Sequence, residues 1–148
     1  MSDNFLKLIA TNPNFIPTDF AQRNAETFLT SRYPNNRIEI ITTESVKFVD
    51  QGSNFESVAC NLCGKTLEIE TWQNAMDYAY QNRFEDLHFV TPCCNKTNSL
   101  NDLHYTMPAG FARHVMIISN PQNELSKQEI SKLEEIVETS LRSIWAHY

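Results

Sequence analysis

Cys60-Asn61-Leu62-Cys63-Gly64 and Thr91-Pro92-Cys93-Cys94-Asn95 together hold all four cysteines of this 148-residue chain. Each pair sits among turn-forming residues between runs that read as strands. A Cys-x-x-Cys turn brings its two sulfurs to the same side, and four thiolates suit one tetrahedral zinc ion at about 2.3 Å per sulfur. The pattern therefore predicts one structural Zn²⁺ held by Cys60, Cys63, Cys93 and Cys94, with two distant loops pinched together at the metal. Gly64 suits the first turn, where positive φ is often required. Asn95 stands where a second glycine would, and asparagine tolerates the left-handed region better than most residues.

The half-motif Cys60, Cys63, Gly64 resembles the knuckles of zinc-ribbon proteins, and 91–95 looks like a modified second knuckle. The resemblance covers only the knuckles, around 58–66 and 90–97, and the strands beside them. It implies a structural metal and nothing about activity. Two departures stand out. The second pair is adjacent, so its sulfurs must diverge on a tight bend. Twenty-nine residues separate Cys63 from Cys93, more than the roughly 15–20 of the familiar double pair; a helix inserted between the knuckles explains the surplus. A variant site would use His88 or His104 in place of one adjacent cysteine. Taken whole, composition and motif style resemble those of small bacterial cytosolic proteins.

Other cysteine chemistries fit less well. A redox Cys-x-x-Cys normally opens a helix, whose dipole lowers the thiol pKa, whereas Gly64-Lys65 and a strand-like 67–70 follow here. A disulfide framework is disfavoured because no basic, apolar leader begins the chain and 148 residues can bury a core unaided. With reduced cysteines and no apolar run near the roughly 20 residues of a membrane span, a cytoplasmic protein is expected.

The net charge of −6 is unevenly spread. Between positions 38 and 86, nine acids face three bases, so this stretch carries the whole imbalance. An acidic region repels phosphates and attracts basic surfaces, which makes nucleic acid an unfavourable partner and a basic protein a favourable one. Glu68, Glu70 and Asp77 form the candidate partner-binding face.

The chain reads as one domain, 1–148, of class α+β: a mixed or antiparallel sheet carrying the zinc-ribbon-like four-cysteine site, flanked by about three helices, the last C-terminal. Residues 1–17 suggest a short helix or a loose arm. From the N-cap Thr18, a helix presents Phe20, Ala21, Ala25, Phe28 and Leu29. Two antiparallel strands, 37–42 and 46–49, should turn at 43–45. A strand at 67–70 should have one buried and one acidic face, and the inserted helix at 72–84 a core stripe of Trp72, Ala75, Met76, Ala79, Tyr80 and Phe84. Strands follow at 87–90, within 99–105, and at 111–118. The final helix begins with a Ser126/Glu129 capping box and a Leu125/Ile130 staple. Its stripe of Ile130, Leu133, Val137, Leu141, Ile144 and Tyr148 suggests that it runs to the end.

No phosphate loop or nucleophile elbow is present, and four thiolates close the coordination sphere that a catalytic zinc keeps open. The Pro-Cys of a zinc deaminase occurs at 92–93, but no His-x-Glu precedes it and the cysteine spacing is wrong. The remaining polar candidate is Asp102 with His104, two apart and so on one face of a strand. The sequence thus favours a non-catalytic zinc-binding protein-interaction module, one version being an acidic immunity-type inhibitor of a basic toxin or nuclease. A small zinc- or Asp/His-dependent hydrolase and a nucleic-acid-binding zinc ribbon are the alternatives.

Overall fold

The computed structural model describes residues 3–148. Strand β1 (Asn4–Ala10) lies inside a four-stranded antiparallel sheet of order β2-β7-β1-β8, with β2 at Ile38–Val49, β7 at Gly110–Ser119 and β8 at Leu141–His147. Helix α1 (Asp19–Arg32) links β1 to β2, and α3 (Lys127–Val137) links β7 to β8. This is the interleaved β-α-β-β-α-β arrangement of ferredoxin-like topology. The connection between β2 and β7 carries the cysteines: β3 (Val58–Ala59), α2 (Ile69–Gln81), the β4–β5 hairpin (His88–Thr91 and Lys96–Ser99) and β6 (His104–Tyr105). The α+β class, the three helices and the clustered cysteines agree with the sequence reading.

Of the opening segment, residues 1–2 lie outside the described residues, and Asn4–Ala10 form a strand rather than a helix or a loose arm. Leu6, Leu8 and Ile9 are at most 1% exposed because β1 pairs with β7 on one side and β8 on the other. A short apolar run at a central position satisfies helical and buried-strand patterns equally. Leu6, Leu8, Met116 and Ile118 form one sheet face, covered by Ala25 and Leu29 of α1 and by Leu133 and Val137 of α3. Thr18 Oγ1 caps α1 by accepting from Ala21 N at 3.1 Å. Phe20, expected on the buried face, is 67% exposed.

Three further expectations change. The two strands around 43–45 are one strand, β2, whose pairing with β7 jumps from Thr42↔His114 to Lys47↔Ala112; the expected turn residues form a bulge. Residues 67–70 are not a strand: Leu67 is buried, Glu68 is the N-cap of α2, and the helix runs Ile69–Gln81 rather than 72–84. Tyr80, placed on the core stripe, is 72% exposed, and Phe84 is buried only after the chain has left the helix. The last helix has its capping box but stops at Val137, where Glu138 turns left-handed at φ 61°. Leu141, Ile144 and Tyr148 continue the helical spacing in sequence, yet β8 spans 141–147 and pairs in register with β1.

A second core surrounds the cysteine module, with Val58, Leu67, Phe84, Leu87, Leu100, Leu103 and Phe111 at its centre. Trp72 stacks on Phe55 at 5.2 Å and donates from Nε1 to Tyr105 Oη at 3.3 Å. No helix among the described residues is long and apolar enough to cross a membrane.

Candidate metal centre

The first knuckle follows from local backbone bonding. Cys60 N donates to Lys65 O and Gly64 N donates to Cys60 O, each at 2.9 Å, and Gly64 adopts φ 78°. The second knuckle repeats this frame with Thr91 in the role of Cys60. Asn95 N donates to Thr91 O at 2.8 Å, Asn95 adopts φ 55°, and Thr91 pairs with Lys96 across the β4–β5 hairpin. Cys94 then matches Cys63, and Cys93 supplies the fourth sulfur from the knuckle's interior. The adjacent spacing thus has a structural cause: threonine occupies the position of the missing first cysteine.

All four sulfurs lie within 4.8 Å of one another. Cys60–Cys94 is 3.8 Å, Cys63–Cys93 is 3.2 Å and Cys93–Cys94 is 4.0 Å. A tetrahedron with metal–sulfur bonds of about 2.3 Å has edges of about 3.8 Å, so one ion fits the set with small adjustments. Cys60 is buried, Cys63 exposed, and Cys93 and Cys94 are intermediate.

The surroundings favour a negative sulfur at Cys60. Leu62 N and Asn98 Nδ2 point donors at Cys60 Sγ from 3.4 and 3.5 Å. Asn98 Nδ2 also donates to Thr91 Oγ1 at 2.8 Å, and the Thr91 hydroxyl lies 3.4 Å from Cys94 Sγ. Burial pushes the Cys60 thiol up, but the backbone donors of Cys63 and Leu62, with the Thr91 hydroxyl and the Cys93 thiol, bring it down to about 5. Cys93 moves the other way, to about 12, chiefly through its contact with Cys63 and then through burial. Donors holding the ligand atoms in place are the ordinary outer shell of a metal site.

No family model, curated protein or solved structure was found to match this chain.

The four predicted ligands are brought together and no histidine joins them among the described residues. His88 is exposed and pairs with Asp86 at 2.9 Å. His104 is exposed on β6, opposite Ala59. Asp102 is also exposed; its backbone N donates to Ser99 O at 2.9 Å, and no hydrogen bond joins its side chain to His104 among the described residues. Glu68, Glu70 and Asp77 are all exposed, with Glu70 and Asp77 two turns apart on the outer side of α2.

Sequence reasoning missed Thr91 and Asn98. The signal for Thr91 was present: 91–96 laid over 60–65 superimposes Cys94 on Cys63, Asn95 on Gly64 and Lys96 on Lys65, leaving Thr91 over Cys60. Asn98 gave no local signal, because the hairpin alone carries it to the sulfurs.

Proposed function

We propose that this chain is a non-catalytic module in which one Zn²⁺, bound by Cys60, Cys63, Cys93 and Cys94, holds an acidic surface in shape for a basic protein partner. Sulfur donors in a tetrahedral set suit zinc better than hard cations, and four thiolates leave no position for a reactive water. The observation that carries the reading is the closeness of the four sulfurs. Helix α2 is anchored beside that centre by Ala79, Trp72 and Met76, and its outer side exposes Glu70 and Asp77 with Glu68 just before it. Opposite potentials accelerate encounter and set orientation, so the partner class is a protein with a basic face, such as a toxin or nuclease neutralised by an immunity-type inhibitor in the cytoplasm.

The test combines metal analysis with capture. Purified protein should contain one zinc per chain, and the tagged protein should retain a basic partner from its host's lysate. Reversing Glu68, Glu70 and Asp77 to lysine should abolish capture without changing zinc content. Capture that survives the reversal overturns the partner reading, whereas a metal-free, folded protein overturns the zinc reading.

A further inference from the structure

A second feature lies away from the sulfurs. A cleft of about 730 Å³ opens where the β2 bulge, the end of α2 and β7 converge. Lys47, Arg83 and Arg113 line it, one from each of these places. None of the three has a carboxylate within 4.0 Å among the described residues. Arg113 is fixed at one edge, its Nε donating to Thr43 O of the bulge at 3.1 Å.

The turn that presents Arg83 is conformationally costly. Arg83 and Phe84 are successive non-glycine residues in the left-handed region, at φ 61° and 56°. Phe84 N donates to Ala79 O at 2.8 Å and Arg83 N to Tyr80 O at 3.0 Å, a helix end at which glycine is favoured because it has no Cβ. Strained backbone of this kind gathers at ligand sites. The helix dipole welcomes a cation after α2, but it does not account for Lys47 and Arg113 arriving from other elements.

Tyr80 lines the same cleft while 72% exposed, its ring held edge-on to buried Phe84 at 5.8 Å. An aromatic ring left uncovered at the edge of a cleft offers a stacking surface. Glu44 and Glu85 also border the cleft, which disfavours a long polyanion, and the volume lies in the range of small-molecule sites. We infer that the cleft binds a small oxyanion carried on a flat ring, with Lys47, Arg83 and Arg113 holding the phosphate or carboxylate and Tyr80 covering the ring.

The full chain is titrated with phenyl phosphate, benzoate and inorganic phosphate while amide shifts are followed. Saturable shifts should centre on Lys47, Arg83, Arg113 and Tyr80. Tighter binding of phenyl phosphate than of benzoate assigns phosphate as the preferred anion, and the reverse assigns carboxylate. The double variant Lys47→Gln/Arg83→Gln should weaken binding at least about tenfold, since charge-assisted hydrogen bonds are the strong ones. Tyr80→Ala should reduce phenyl phosphate to the affinity of inorganic phosphate. Absence of saturable shifts at the cleft, or unchanged affinity in the double variant, overturns the inference. If the double variant does not fold, exposed Lys47→Gln alone decides the matter: a loss of about threefold supports the site, and no loss overturns it.

Discussion

Arg142 of β8 donates from one Nη to Asn101 O at 2.9 Å, to Asn101 Oδ1 at 3.2 Å and to Ala109 O at 2.9 Å. Asn101 in turn accepts from Phe111 N at 3.0 Å and donates to Thr11 O at 3.1 Å. This junction ties the cysteine module to the sheet through a cation satisfied by carbonyl oxygens. Gly110 packs tightly beside it: a Cβ there would lie 2.7 Å from Ile9 Cδ1 and 2.8 Å from the Arg142 nitrogen, so both side-chain ends would have to shift.

Removing the cation should therefore loosen the join between module and sheet. Arg142→Met keeps much of the apolar stem but strands oxygens that accept from the charge, a loss of about 1.5–3 kcal/mol. Urea unfolding of the zinc-loaded variant measures it, and a midpoint equal to the parent's would show that the junction contributes nothing.

Chelation should act unevenly, because Trp72 belongs to the module core and Trp145 packs against the sheet core. Structural zinc contributes on the order of 10–16 kcal/mol in small metal domains. Stripping the metal should change the fluorescence of a Trp145→Phe variant, which reports on Trp72, and spare that of Trp72→Phe. Cys60→Ser should reproduce the stripped state, since Cys60 is the buried sulfur with most donors around it. Equal responses from both tryptophans would mean that the two cores unfold together.

The metal site is more legible than the sheet beside it. Four cysteines in two turns leave few alternatives, and the helix caps and strong β7 pattern needed only local chemistry. Pattern and structure part where one pattern fits two structures. Leu141, Ile144 and Tyr148 keep helical spacing, and the stop at Glu138 is a left-handed glutamate that no glycine announces. At 43–45, polar residues mark a departure from regular pairing, but only the partner strand decides between a turn and a bulge. Central placement of β1 is likewise a tertiary fact, set by pairings with residues more than a hundred positions away.

His114 should give the protein a pH dependence that sets in as pH falls below about 6.5. It is 4% exposed, its Nδ1 lies 2.9 Å from Thr42 Oγ1, and its Nε2 has no partner among the described residues. Burial lowers its pKa from the ordinary 6.5. The unfolded chain therefore takes up the proton first, so stability is full above about 6.5 and declines as pH falls from there to the depressed folded value. Denaturant midpoints measured from pH 7.5 downward should fall in the parent and stay flatter in His114→Phe. Parallel curves would remove His114 as the cause.

The threonine in the second knuckle permits a sharper test of the centre. Thr91 has the backbone frame of Cys60, and its hydroxyl sits 3.8 Å from Cys60 Sγ and 3.4 Å from Cys94 Sγ. A sulfur placed there would complete a regular pair of knuckles, making the interior sulfur of Cys93 unnecessary. Cys93→Ser alone should lose metal affinity by at least about tenfold, because only three thiolates remain. Thr91→Cys added to Cys93→Ser should restore it to near the parent's value, measured by competition with a coloured chelator. Recovery by a cysteine at 91, where the parent has none, would follow only if both knuckles share one frame. A double variant as weak as Cys93→Ser would mean that the bend at 93–94 positions its sulfurs in some other way.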